Sequence, residues 1–325
     1  MTRVAVVGAG VMGLATARAL ARTGCEVAVH EQFERDHARG SSHGRSRIFR
    51  LAYPEPHWVR LAQEALAGWR KLEAETGEQL LELNGLLEMV SDLGESSARA
   101  LDTCGVAWER LERREAERRF PIRVPPGFFC VLQHEAGIVL ADRALASLAR
   151  GIDVRYRTPV TSLADLDADS IVVTAGAWVN RLVDPPLAVR VTGETICYFR
   201  RVDARSVPAV VSFKAQKHQF YALADPEHGF KVGAHHTGPE VCPGAEVEPD
   251  PRIVQAISAW AARHLAVANP RPVEASTCLY TSTADESFVL ERRGRIVVGS
   301  ACSGHGFKFA PAIGARLAAL ALEVL

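Results

Sequence analysis

The sequence predicts an α/β protein: a discontinuous, parallel βαβ domain that carries a second, antiparallel-sheet domain. Three features predict it. A β-branched run at residues 3–8 opens into a glycine-rich turn, a helix and a second strand, which together make a βαβ unit. Residues 187–240 change texture to alternating segments such as "LAVRVTGETICYFRRV" and "GFKVGAHHTG", the pattern of antiparallel strands. The stretch "IVVGSACSGHGFKFAPAIG" then returns to strand, turn and helix at 296–314, so the first domain resumes after the second.

The first unit, "RVAVVG" followed by Gly8-Ala9-Gly10-Val11-Met12-Gly13, has the form of a dinucleotide site. Gly8 allows the tight turn, Gly10 lets the backbone approach a pyrophosphate, and Gly13 permits close helix–strand packing. The helical stretch that follows this motif, to about Thr23, presents free N–H groups at its N-terminus to phosphate. Strand "CEVAVHE" ends at Glu31, whose carboxylate suits a ribose diol and would repel the 2′-phosphate of NADP. NAD and FAD both remain open at this point. The next segment, "QFERDHARGSSHGRSRIFR", has a composition suited to a loop wrapping a large cofactor rather than to a further βαβ repeat.

Along the rest of the chain, 57–77 has amphipathic helical spacing with Trp58 and Trp69 on the apolar face. Residues 85–91 form a strand, and 96–120 are expected to be helical and solvated. "GFFCVLQHEAGIVLADRALASLAR" predicts a strand, a glycine turn and a helix from about Leu140. At 171–178 a strand ends in Thr174-Ala175-Gly176-Ala177-Trp178 with a helix following, a second glycine turn at the carboxyl end of a strand, where α/β sheets bind ligands. A helix is expected at about 251–266, and "STCLYTSTADESFVLERRGRIVVGS" is expected to return strands to the first domain. The cofactor domain is thus assigned to 1–80, 130–186 and 270–325, and the substrate domain to 81–129 and 187–269.

Composition excludes several functions. With 38 basic and 38 acidic residues the chain carries no electrostatic footprint for nucleic acid or an anionic membrane. No apolar run approaches the ~18 residues of a membrane span. The seven cysteines are scattered, with no CxxC pair, which predicts reduced thiols and a cytoplasmic protein. His235 and His236 are adjacent, so a strand would send them to opposite faces, and no metal site is expected.

The glycine motif with Glu31, together with "GSSHGRSRIFR", "AGAW", "GFKVGAHH", "STCLYT" and "CSGHGFKF" in this order, resembles the monomeric sarcosine oxidase family of D-amino-acid-oxidase-like flavoproteins. The resemblance covers nearly the whole chain. It implies FAD, oxidation of a secondary or cyclic amino acid to an imine, O2 as electron acceptor with hydrogen peroxide formed, and a monomer. It implies that Arg50 and Lys308 grip the substrate carboxylate, one as a bidentate fork and the other as a point charge. Tyr221 and His235 are placed in the substrate pocket, and Lys231 near the flavin as the cation that promotes oxygen reduction. Cys278 is matched to a covalent flavin attachment. Ser42, His43, Ser46 and Arg47 fall in the loop along the flavin, and Ala175, Gly176, Trp178, Gly304, Gly306 and Phe307 in turns that line the cofactor. A dehydrogenase passing electrons to a carrier is the less favoured form, because of Lys231. A tailoring oxidase with a larger amino-acid-like substrate has the same chemistry and remains the alternative. Residues 203–220, expected in the pocket wall, match no pattern, so the substrate's identity stays open.

Overall fold

The computed structural model describes residues 1–91, 97–202, 207–212, 219–225, 227–267 and 269–323. Much of the unmatched 203–220 segment lies outside the described residues.

In chain order, β1 (Arg3–Val7) passes through Gly8, at φ +105, into α1 (Val11–Ala21) and β2 (Glu26–His30). A loop leads to β3 (Ser46–Phe49) and then α2 (Pro56–Thr76), which opens with proline in its first turn and stops at Gly77, φ +70. Next come β4 (Leu81–Glu82), β5 (Leu86–Val90), α3 (Ala98–Thr103), β6 (Trp108–Glu112), α4 (Arg113–Arg119), β7 (Phe129–Gln133), β8 (Gly137–Leu140) and α5 (Ala141–Ala149). They are followed by β9 (Asp153–Arg155), β10 (Ser170–Val173), β11 (Arg190–Arg200), β12 (Ala209–Ser212), β13 (Gln219–Asp225), β14 (Gly229–His235) and α6 (Pro251–His264). The chain then forms β15 (Glu274–Ser282), β16 (Val289–Arg293), β17 (Ile296–Ser300) and α7 (Ala310–Leu322).

Two large sheets result. The six-stranded sheet has the order β16-β17-β10-β1-β2-β9 and is parallel except at the β16–β17 hairpin. Its strands β1 and β10 are near-continuous apolar runs because both faces are buried: Val4, Val6 and Val172 pack with α1 and α7, and Ala5, Val7, Ile171 and Val173 form a second cluster on the other face. The eight-stranded sheet has the order β15-β11-β14-β13-β12-β5-β7-β6 and is antiparallel except at β12–β5. A small sheet, β3-β8-β4, links them. The α/β class with an interrupted nucleotide-binding sheet and a second antiparallel sheet is the one the sequence predicts. Among the described residues no helix is long and apolar enough to cross a membrane, and all seven cysteines are free thiols.

Five local expectations differ from what forms. The expected helix over 96–120 is split by β6, which pairs with β7 from Trp108↔Gln133 to Glu112↔Phe129. Helix-forming charged residues fill "WERLE", but buried Leu111 and the ladder to β7 override that propensity. β8 occupies "GIVL", four buried residues too few to show a period. The unit after "AGAW" is a six-residue 3-10 turn, Gly176–Arg181. Finally, β15 stays in the antiparallel sheet, paired with β11 from Arg190↔Ser282 to Tyr198↔Glu274, so only β16 and β17 return to the six-stranded sheet. β7 likewise sits in the antiparallel sheet, across the boundary drawn at 130.

Candidate functional site

A cavity of about 1050 Å³ lies between the two large sheets. On one side it is bounded by the turns that leave the carboxyl ends of β1, β2, β10 and β17. On the other it is bounded by side chains of β11 to β15. This is the position at which open α/β sheets bind ligands, because several strands end there and their loops diverge.

The β1–α1 turn forms one end. A Cβ at Gly8 would lie 2.6 Å from the Thr174 carbonyl oxygen, so only glycine lets β1 pass β10 this closely. Gly10, Val11 and Met12 line the cavity. Gly13 lies behind it, where a Cβ would collide with the Gly8 carbonyl and approach Thr174 Oγ1 to 2.7 Å. The first intrahelical bond runs from Leu14 N to Gly10 O at 3.0 Å, so the amides before it have no helical acceptor. Ser42 Oγ accepts one of them, Val11 N, at 3.0 Å. Glu31 is 5% exposed, and its carboxylate accepts the amides of Ala9 (2.8 Å) and Phe33 (3.0 Å).

The loop before β3 is held by Arg47, which donates to the carbonyls of Ser41 (2.8 Å), His43 and Ser46 (2.9 Å) and stacks over Phe307 at 5.4 Å. His43 Nε2 in this loop and Ser46 Oγ at the start of β3 are buried without a hydrogen-bond partner, and both residues line the cavity. Burial, with Arg47 and Lys231 nearby, pulls the His43 imidazole down to about 4. Ala175, Gly176 (φ +52) and Trp178 close the same side, and Trp178 meets Phe33 edge-on at 5.3 Å.

The other end gathers the charged groups. Lys231 of β14 is 3% exposed and donates to the Ser46 carbonyl at 3.0 Å. Burial, reinforced by Arg47, pulls its ammonium down to about 7. Cys278 of β15 faces the same space, and burial pushes its thiol up to about 11 against the pull of Arg47 and Lys231. Tyr221 and Tyr280 line the wall; burial raises both phenols, so they stand as protonated hydroxyls. His235 Nδ1 lies 3.3 Å from Tyr280 Oη, and burial holds its imidazole well below the usual range. Gly304, φ +71, passes so close to Tyr280 and His235 that a Cβ there would strike both rings. Gly306 and Phe307 complete the turn.

Arg50 and Lys308 meet on Tyr53. The Arg50 guanidinium sits 4.3 Å from the Tyr53 ring centroid, and Lys308 Nζ donates to Tyr53 Oη at 3.0 Å and to the His305 carbonyl at 2.6 Å. Tyr53 Oη also lies 3.2 Å from His305 Nδ1. Lys308 is 5% exposed; burial, then the positive charge of Arg50, holds its ammonium well below the ordinary lysine value. Thus all the candidate residues named from sequence except Gly13 line one cavity. Tyr53, packed against Arg50 and Lys308, and Tyr280, in the cavity wall, are candidate positions that sequence reasoning misses. Tyr280 sits inside "STCLYT", where strand alternation from Cys278 puts it on the same face. Nothing local marks Tyr53.

One expectation is corrected here. The rings of His235 and His236 do not diverge. β14 ends at His235, His236 takes φ +53, and the ring centroids lie 4.1 Å apart. Only His235 lines the cavity, as expected, but a left-handed residue rather than strand alternation sets the arrangement.

The profile of the FAD dependent oxidoreductase family matches residues 3–320. The chain belongs to that family. Human peroxisomal sarcosine oxidase is 34% identical over 364 residues, covering 98% of this chain and 92% of that protein. N-methyl-L-tryptophan oxidase of Yersinia pestis is 27% identical, covering 95% and 92%. The solved structure of NikD, an unusual amino acid oxidase essential for nikkomycin biosynthesis, superposes with a TM-score of 0.86 at 29% identity over 99% of this chain and 95% of that one. L-proline dehydrogenase of P. horikoshii shares the fold, TM-score 0.82, at 19% identity.

The residues of this FAD-dependent oxidoreductase fit its cofactor. The helix N-terminus has no acidic side chain in its first turn to repel phosphate. A buried carboxylate closes β2, and the orphaned polar atoms of His43 and Ser46 line the cavity, where polar groups of a bound cofactor would satisfy them.

Proposed function

We propose that this enzyme oxidises the C–N bond of a secondary or cyclic amino acid to an imine, with O2 reduced to hydrogen peroxide. The observation that carries this reading is the convergence of Arg50 and Lys308 on Tyr53 at the end of the cavity that also holds Lys231 and Cys278. Lys308 is buried and Arg50 half-buried, and among the described residues neither forms a salt bridge; holding two cations this close out of bulk water is costly unless an anion joins them, and the carboxylate of an amino acid is such an anion.

Bound FAD would supply the two-electron acceptor, taking hydride equivalents from the C–H bond next to nitrogen and passing the electrons to oxygen. The chain's own residues do the rest. Arg50 offers a planar fork and Lys308 a point charge to the carboxylate. Its arrival favours the charged form of Lys308 and draws a proton onto Nζ. The same cations disfavour a positive charge on the bound amine, so the substrate loses its ammonium proton and presents a lone pair. Neutral His235, with the protonated hydroxyls of Tyr221 and Tyr280, shapes the wall beside it. Lys231 supplies positive charge where oxygen gains electrons. Amines lacking a carboxylate should bind poorly. Sarcosine, other N-methyl amino acids and proline or pipecolate types are the candidates, and a cyclic imine product would persist while an acyclic one hydrolyses.

FAD attachment through Cys278 belongs to the same proposal. The attacking group is the thiolate, which burial disfavours and Arg47 and Lys231 favour. Attachment should therefore quicken as pH rises toward about 11. Acid-denatured protein should keep its yellow colour, and a Cys278→Ala variant should release it; free flavin from the wild type removes Cys278 from this role. The reaction itself is tested by anaerobic bleaching with N-methyl and cyclic amino acids, followed by peroxide measurement on admitting air. No bleaching by any of them would overturn the reading. The likeness to NikD favours a second reading, an oxidase of the same chemistry with a larger amino-acid-like substrate. Bleaching by such substrates alone would select it.

A further inference from the structure

The left-handed residue at the end of β14 has gathered three metal-binding side chains. His236 folds its imidazole back beside that of His235. Glu286, at φ +60 in the turn between β15 and β16, brings a carboxylate oxygen to 3.4 Å from His236 Nε2. One donor atom from each of the three lies within 4.8 Å of the others.

We propose that His235, His236 and Glu286 form a binding site for a divalent transition metal of the zinc class, where the substrate cavity meets the surface. The donor set of two imidazoles and one carboxylate is that of zinc sites with an open fourth position. The 3.4 Å separation of His236 Nε2 and Glu286 Oε1 is close to the edge of a tetrahedron whose bonds are about 2.0–2.2 Å. His236 Nε2 is buried and has no hydrogen-bond partner, because the approach of Glu286 is not aligned as one. A metal ion would satisfy that nitrogen. Tyr280 Oη lies 3.3 Å from His235 Nδ1; with the imidazole proton on Nδ1, donated to that hydroxyl, Tyr280 serves as an outer partner and Nε2 keeps a lone pair for the metal. Two ordinary residues in the left-handed region flank the site, and such strain concentrates where ligands bind. The positive charge of Arg50 acts on His235 and restrains affinity. An ion that gains from imidazole nitrogen should overcome that, whereas Mg2+ and Ca2+, which want several oxygens, should not.

Metal binding itself does not depend on the reaction proposed above; its kinetic consequence does, since a metal on His235 would exclude a substrate bound there. Zn2+ titrated calorimetrically into the purified holoenzyme tests the site. Exposed Cys242 can also take zinc, so the result is read as a difference between proteins. One equivalent present in the wild type should be lost, or weakened at least tenfold, in both His236→Ala and Glu286→Gln, and Mg2+ should give no binding. Equal stoichiometry and affinity in the wild type and the variants overturns the proposal. If His236→Ala fails to fold, the surface replacement Glu286→Gln decides alone. At a Zn2+ concentration equal to its dissociation constant, KM should about double with kcat unchanged. One equivalent bound with KM unchanged supports the metal site and overturns instead the placement of His235 against the substrate.

Discussion

Lys231 is half-charged near neutral pH, because burial pulls its pKa down to about 7. Its ordinary value is 10.5, so between those two pH values the unfolded chain binds the extra proton and the folded one does not. That group's effect on stability therefore becomes more favourable as pH rises from about 7 toward 10.5, while its charge disappears. If the cation assists oxygen, reoxidation of the reduced enzyme should slow as pH rises through about 7. A Lys231→Met variant should be slower by roughly 100-fold and lose that dependence. Stopped-flow reoxidation checks both, and a wild-type rate indifferent to pH would remove Lys231 from the role. Arg50→Gln should raise KM by roughly thirtyfold or more, equivalent to losing about 2–5 kcal/mol of carboxylate binding, with carboxylate-free amines unaffected.

The turn between β17 and α7 is the element that brings Lys308 into the cavity, and α2 holds it there. Trp69 of α2 is fully buried, donates from Nε1 to the Lys308 carbonyl at 2.8 Å, and stacks on Phe307 with centroids 6.3 Å apart. Trp69→Phe keeps a ring but leaves that buried carbonyl without its donor. A loss of about 1–3 kcal/mol of stability is expected, together with a higher KM because Lys308 is less firmly held. Denaturant unfolding and steady-state kinetics measure the two effects; a loss of stability with unchanged KM would separate the helix from the site.

At the scale of the molecule, the cavity is the seam between the two large sheets. Lys231 reaches from β14 to the Ser46 carbonyl, and Arg45 pairs with Asp225 at 3.2 Å and Glu227 at 2.7 Å. A dinucleotide filling that seam binds the folded state alone. In Cys278→Ala protein stripped of flavin, the unfolding midpoint should rise with added FAD, by about 2.7 kcal/mol of stability at a hundredfold excess over Kd. A midpoint independent of FAD would show that the two sheets hold together without it.

What could be read along the chain were the features that depend on near neighbours. The βαβ unit, the glycines at 8 and 13, the carboxylate at 31 and the alternating strands from 187 to 240 all follow from backbone freedom, side-chain period and local chemistry. These decide conformation within a few residues, which is why fold class and most of the cavity lining were legible. Tyr53 was not, because its importance arises only when Arg50 and Lys308, from opposite ends of the sequence, pack on its ring and hydroxyl. β6 was not, because pairing with β7 outweighs the helical propensity of "WERLE". The His235–His236–Glu286 cluster depends on one dihedral angle, φ +53 at His236, and on a turn fifty residues further on. Burial and long-range pairing set the energies of these features, so tertiary structure alone decided them.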